Sequence, residues 1–333
     1  MTANNIAYFL QLFVIRAYYF FLLMKTMSIA LLITDRNLST LYHGLKKQLP
    51  DVEIQCWPNI NKPEKVRFVV AWQHPENCWQ QFPNLKVIIS LGAGCDGLLN
   101  DPYLPSNIMV TRIVDSGLAE QMAEYVLGAI LLIKRRFNDY LTQQKNQQWQ
   151  PLAPIAGKKV AVLGIGEIGD KVATTLVSFG YQVVGWSRTE KTPRSYQTFY
   201  GKAQLANAVA NADFVVSTLP LTAETQYLLN AAFFKLLSNN AWLINVGRGK
   251  VINEHDLVTA LTNNQFQGAI LDVMVSEPLA KKHSFWQHPN IVITPHISAI
   301  TDQKTIIKQI ADNYLSMKIG RAFKNIVDFV KGY

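Results

Sequence analysis

Short apolar runs rich in Val, Ile and Leu alternate along the chain with stretches whose apolar residues recur every three or four positions. Strands are predicted at residues 29–33, 53–56, 68–71, 87–90 and 108–111. A single long helix is predicted from 117 to about 140, with Ala119, Met122, Ala123, Val126 and Ile130 on one face. Further strands are predicted at Val160, Gln182, Phe214, Trp242, Ala269 and Ile291, and a last helix at about 301–318. Strands that alternate with helices form parallel sheets through crossover units, so the fold class is α/β with two Rossmann-like parallel-sheet domains and a cleft between them. Ligands of such sheets sit beyond the carboxyl ends of the strands.

The strand beginning at Val160 runs into Gly164-Ile165-Gly166-Glu167-Ile168-Gly169, after which Ile168, Val172, Leu176 and Phe179 repeat with helical spacing. Strand, glycine turn and helix together are the context that gives a G-x-G-x-x-G its meaning. Gly164 makes the tight turn, Gly166 admits a pyrophosphate close to the backbone, and Gly169 lets helix pack on strand. The helix start then offers its N–H groups to phosphate charge. The cofactor is expected to be lined also by Glu167, Ile168, Leu219, Pro220, Val246 and Asp272.

NAD-specific folds place a carboxylate about 20 residues beyond the glycines, on the ribose 2′-hydroxyl. Here the second strand ends in Ser187-Arg188-Thr189, with no carboxylate before Glu190. A guanidinium is planar and permanently charged and suits a phosphate, and the two hydroxyls can donate to the same oxygens. Arg188 therefore points to NADP(H), with NADH a weaker alternative; the competing reading is a solvated surface arginine.

At 333 residues and 49% hydrophobic content the chain is long enough for two cored domains. Its three cysteines, Cys56, Cys78 and Cys95, are odd in number and lack C-x-x-C spacing, which suits reduced thiols in a cytoplasmic protein rather than a disulfide framework or a zinc site. The net charge of +9 is dispersed, and no helix-turn-helix, zinc-finger or aromatic RNA-binding signature accompanies it, so nucleic acid is not an expected partner. No metal site is expected.

Residues 1–26 are the exception to this pattern. Positions 6–24 are nearly all apolar or aromatic, approaching a membrane span, yet Arg16 in mid-span costs around 2.5–3.5 kcal/mol on insertion scales. The predicted first strand follows without a linker, and Met27 stands where a natural start would fall. The favoured expectation is a mis-assigned start or a dispensable extension, with a membrane anchor as its rival.

Three later loops each follow a strand and bear one reactive side chain. They are Asn245-Val246-Gly247-Arg248-Gly249, Asp272-Val273-Met274-Val275-Ser276-Glu277-Pro278, and Thr294-Pro295-His296. Hydride arriving at the carbonyl carbon of a 2-keto acid leaves negative charge on oxygen, which must be protonated as it forms. An imidazole titrates near neutrality, so His296 is the candidate acid. Glu277 can fix its tautomer, and Arg248 can grip carboxylate and carbonyl oxygens together.

This set resembles the D-isomer-specific 2-hydroxyacid dehydrogenase family, over nearly everything from Met27 onward. Within it the chain is most similar to the NADPH-dependent glyoxylate/hydroxypyruvate reductase A group. Leu91-Gly92-Ala93-Gly94-Cys95-Asp96-Gly97, Glu120-Gln121-Met122-Ala123-Glu124-Tyr125, Trp186-Ser187-Arg188-Thr189 and Trp286-Gln287-His288-Pro289 support it, as does the closing Lys331-Gly332-Tyr333. The resemblance implies catalytic roles for Arg248, Glu277 and His296, and a substrate carboxylate held by the backbone N–H groups of Ala93 and Gly94. It implies reduction of glyoxylate and hydroxypyruvate, with another 2-hydroxyacid specificity or a nucleotide-sensing corepressor as alternatives. It also implies a homodimer built on the long helix, with Trp149 reaching toward the partner's site. The expected domains are 27–116 with 298–333 for substrate and 117–297 for cofactor. Trp72 either walls the substrate pocket or packs in the core. Cys95 replaces an aliphatic residue and is either an apolar filler or an oxidant-sensitive thiol. His74, in a stretch one residue longer than the related pattern, is expected to be structural.

Overall fold

A computed structural model describes residues 27–329. The expectations for residues 1–26 and for the closing Lys331-Gly332-Tyr333 fall outside the described residues. The chain forms two units: one runs to Asp115 and resumes at Thr301, and the other is Ser116–Ile300. Among the described residues no helix is long and apolar enough to cross a membrane.

The first unit holds a five-stranded sheet of β1 (Ser28–Ile33), β2 (Glu53–Cys56), β3 (Val66–Trp72), β4 (Val87–Ser90) and β5 (Met109–Arg112), in the order β2-β1-β3-β4-β5. Every pairing is parallel. All six residues of β1 are buried, as expected of a parallel strand covered on both faces. The helices Ser39–Gln48 and Gln303–Ile319 pack on one another here, bringing the end of the chain back to its beginning. Tyr314 seals the join, fully buried against Phe68 and donating its hydroxyl to the Met27 carbonyl at 3.0 Å.

The second unit holds seven parallel strands: β6 (Lys159–Leu163), β7 (Gln182–Ser187), β8 (Gln197–Tyr200), β9 (Phe214–Ser217), β10 (Trp242–Asn245), β11 (Gly268–Leu271) and β12 (Ile291–Ile293). Their order is β12-β11-β10-β9-β6-β7-β8. The direction of winding reverses between β6 and β9, and connections leaving these neighbours diverge, which opens a ligand crevice at their carboxyl ends. Helix Gly117–Lys134 packs on helix Glu167–Ser178, behind the glycine turn.

Two elements differ from the reading of the sequence. The single long helix is two, Gly117–Lys134 and Phe137–Lys145, separated by Arg136 in the left-handed region at φ 60°. The physical reason lies at the end of the first helix. The Lys134 carbonyl accepts from Ile155 N–H at 3.0 Å and its ammonium donates to the Gly157 carbonyl at 2.7 Å, drawing the helix terminus toward the segment leading to β6. Arg136 then donates to Asp139 at 2.7 Å, in the first turn of the next helix. The other difference is β8, an edge strand whose four residues are all at least partly exposed, so no apolar run announces it.

Candidate active site

The turn after β6 is built from what its glycines lack. Gly164 adopts φ 100°, which suits glycine alone, and Thr218 donates to its carbonyl at 2.8 Å. A Cβ on Gly169 would run into that same carbonyl, so helix and strand approach as only glycine permits. Gly166, the residue before the helix, is different: a Cβ there would meet nothing within 4 Å, leaving open space before the helix start. No side chain caps this helix, so its first N–H groups face that space. The open space and the N–H groups at the helix start suit an anion such as a pyrophosphate.

At the end of β7, Ser187 is buried and donates to the Thr189 carbonyl at 2.7 Å. Its hydroxyl proton therefore serves the turn. Arg188 and Thr189 are exposed. Arg188 lies 3.2 Å from Glu224, a surface pair in which both side chains are about half exposed. Such a pair contributes at most about 1 kcal/mol, so a phosphate can take Glu224's place. Leu219 is buried and Pro220 exposed in the turn after β9, and Val246 is buried after β10.

The three reactive side chains lie at neighbouring strand ends of this unit. After β10, buried Asn245 accepts from Gly247 N–H at 3.2 Å and donates to the Arg248 carbonyl at 3.1 Å, shaping the loop that presents Arg248. Gly249 presses against the Met274 carbonyl with no room for a Cβ, which locks this loop to the one after β11. There Glu277 accepts Met274 N–H at 2.9 Å on one oxygen and stands 2.7 Å from His296 Nδ1 with the other. Burial pushes the Glu277 carboxyl up, but the bonds from His296 and Met274 and the charges of His296 and Arg248 outweigh it. The result lies below the usual Glu range. Glu277 is therefore an ionised acceptor at neutral pH, Nδ1 of His296 carries a proton, and Nε2 is the nitrogen that can exchange one outward. The imidazole is 41% exposed, accessible to a ligand.

Asp272, expected against the cofactor, opens the loop after β11. It is 1% exposed, and its carboxylate accepts from Thr294 Oγ1 at 2.6 Å, Ile297 N–H at 2.9 Å and Ser298 N–H at 2.9 Å. Its carbonyl accepts from His296 N–H at 2.9 Å. The side chain is committed to the loop bearing His296. Thr294 and Tyr125 extend this network, and the sequence assigns neither of them a role: Thr294 stands two residues before His296, while Tyr125 lies over 160 positions from it in sequence.

In the first unit, Ala93 and Gly94 follow β4, and Ser90 at the end of that strand donates to the Gly94 carbonyl at 2.6 Å. The Trp72 ring occupies the position a Cβ on Gly92 would need, 2.8 Å from it, so Trp72 is half-buried against the start of that loop. Cys95 is buried, in keeping with an apolar filler. His74 lies 2.9 Å from Asp101, which also accepts from Trp79 at 2.5 Å. Trp149, in the second unit, is 99% exposed.

Residues 127–298 match the family model described as D-isomer specific 2-hydroxyacid dehydrogenase, NAD binding domain. A glyoxylate/hydroxypyruvate reductase A from Serratia proteamaculans is 37% identical over 298 residues, covering 87% of this chain and 95% of that protein. Among solved structures, a D-isomer specific 2-hydroxyacid dehydrogenase from Xanthobacter autotrophicus Py2, in complex with NADPH and MES, is 32% identical. It superposes with a TM-score of 0.83 over 92% of this chain and 100% of that one. An NADPH-dependent glyoxylate/hydroxypyruvate reductase from Sinorhizobium meliloti, in complex with NADP and sulfate, is 30% identical with a TM-score of 0.83 over 92% and 100%.

Proposed function

The chain belongs to the D-isomer-specific 2-hydroxyacid dehydrogenase family, and from that premise we propose that it reduces small 2-keto acids with NADPH, glyoxylate to glycolate and hydroxypyruvate to D-glycerate. The observation that carries the reading is the His296–Glu277 pair at 2.7 Å, on the same sheet edge as the glycine cradle. NADPH, when bound, supplies the hydride. Gly164, Gly166 and Gly169 make room for its pyrophosphate, with Glu167 and Ile168 at the helix start. Arg188 supplies the charge for a 2′-phosphate, with Thr189 beside it, and Leu219, Pro220 and Val246 line the crevice.

His296 releases its Nε2 proton to the carbonyl oxygen as negative charge gathers there, while ionised Glu277 stabilises the imidazolium beforehand and holds the ring. Arg248 orients the substrate carboxylate and polarises the carbonyl, a two-pronged grip suited to a planar guanidinium. In the first unit, the N–H groups of Ala93 and Gly94 are suited to a substrate carboxylate, and the Trp72 ring lies beside the start of that loop at Gly92.

The active form is a homodimer in the cytoplasm. Leu131, Phe137, Tyr140, Leu141 and Trp149 are each 38% exposed or more along the two helices and the segment after them, an apolar surface suited to a second copy. Among the described residues, Cys56, Cys78 and Cys95 form no disulfide.

The reading is tested by assaying glyoxylate, hydroxypyruvate, pyruvate and phenylpyruvate against both nicotinamides. Fastest oxidation of NADPH with glyoxylate or hydroxypyruvate supports it. A preference for phenylpyruvate or for NADH assigns another specificity, and cofactor binding without turnover assigns a nucleotide-sensing scaffold.

A further inference from the structure

We propose that Tyr125 is a positioning residue for His296, acting through a hydrogen-bonded chain of Thr294 and Asp272 that sets the loop bearing the imidazole. The inference rests on the reading that His296 delivers the substrate's proton.

The direction of the chain follows from counting protons. Asp272 already accepts two backbone N–H groups, and Thr294 gives its one hydroxyl proton to Asp272 Oδ1 at 2.6 Å. The Tyr125 hydroxyl, 2.5 Å from Thr294 Oγ1, must therefore be the donor there. Burial, only partly offset by the bond to Thr294 and reinforced by Asp272, pushes the phenol up to about 12, so it keeps the proton it donates across the physiological range.

Two features make this chain matter to the imidazole. His296 sits at φ 55°, in the left-handed region that is uncommon for residues other than glycine and that surrounding bonds help to hold. The bonds that hold it come from Asp272 and Thr294: the carbonyls of both accept His296 N–H, and the Asp272 carboxylate holds Thr294 on one side and Ile297 and Ser298 on the other. Tyr125 belongs to helix Gly117–Lys134, which also packs on helix Glu167–Ser178 behind the glycine turn. One rigid element thus supports both the cofactor cradle and the proton donor. Among the described residues, Glu277 faces the imidazole directly, Arg248 places its charge near Glu277, and Asp272 connects through Thr294 to Tyr125.

The test is a double-mutant cycle of Tyr125→Phe and Thr294→Val, with Thr294→Ser as the conservative variant, assayed by NADPH oxidation with glyoxylate. Each single substitution is expected to lower kcat on the order of tenfold with the KM for NADPH unchanged, and to raise the solvent deuterium isotope effect on kcat as proton delivery becomes slower. The double variant should be no slower than the slower single one, and Thr294→Ser should retain turnover within about twofold. Hydrogen exchange at Ile297 and Ser298 should accelerate in Tyr125→Phe. A Tyr125→Phe protein with wild-type kcat and isotope effect, whatever its melting temperature, would overturn the proposal, as would single effects that multiply in the double variant. Failure of the underlying reading is separable: it shows as a wild-type protein that does not turn over, or as turnover retained in His296→Ala, and either removes this inference too.

Discussion

Nδ1 of His296 stands 2.7 Å from Oε2 of Glu277, and the other oxygen of that carboxylate takes Met274 N–H at 2.9 Å. One acidic group thereby fixes its own loop, after β11, and the imidazole that follows β12. With both oxygens engaged and Arg248 contributing positive charge, the carboxyl stays ionised below the usual Glu range.

Glu277→Gln should therefore cost both turnover and acid-sensitive stability. Turnover should fall on the order of 10²-fold, because a neutral amide is a weaker acceptor for the Nδ1 proton and holds the ring less firmly. A carboxyl whose folded pKa is depressed contributes stability above its unfolded value, and that contribution disappears as pH falls through the folded value. The stability gap between wild type and Glu277→Gln should be about 1 kcal/mol near neutrality and should close as pH drops below roughly 4.3. Denaturant titrations from neutral to acid pH measure it, and a gap that widens in acid would contradict the assignment.

His296→Ala should lose on the order of 10²–10⁴ in kcat while binding NADPH as wild type does, the outcome expected of a proton donor rather than an affinity contact. Calorimetric titration with NADPH beside steady-state rates separates the two.

Much of this was legible in the sequence, and the reasons are local. The buried strands announce themselves by unbroken apolar runs such as Ile29 to Ile33, and the glycine turn by a strand before it and a helix after it. Arg248, Glu277 and His296 each follow a strand within a few residues, so their placement at one sheet edge follows from the parallel topology. What escaped depends on contacts distant in sequence. Arg136 ends a helix because Ile155 captures the Lys134 carbonyl, and no propensity in Lys134-Arg135-Arg136 signals that. Asp272 is tied to residues 22 to 26 positions further along the chain. Only the fold shows Thr294, Ile297 and Ser298 converging on its carboxylate.

Gly169→Ala tests the glycine turn. The added methyl would meet the Gly164 carbonyl, which is backbone and cannot swing aside. The substitution should destabilise the protein by about 1–3 kcal/mol and weaken nicotinamide binding together, as helix and strand are forced apart. Thermal melts with and without NADPH report both effects; undiminished affinity would show that the close approach is dispensable.

Arg188→Ala addresses cofactor choice. Among the described residues the guanidinium is held by an exposed pair with Glu224, a weak contact that a phosphate can displace. The KM for NADPH should rise at least about tenfold while that for NADH changes little, reflecting the loss of a charge-assisted contact to the 2′-phosphate. Equal effects on the two cofactors would assign Arg188 to the surface alone.

The most direct measurement follows hydrogen itself. NADPH carrying deuterium at the transferable position of the nicotinamide is incubated with hydroxypyruvate and the purified chain, and the glycerate is resolved by chirality and mass. The expected product is D-glycerate with one deuterium at C2, formed by wild type and on the order of 10²–10⁴ more slowly by His296→Ala. L-glycerate, product without deuterium, or undiminished turnover in His296→Ala would contradict the assignment of His296 as the group that completes reduction.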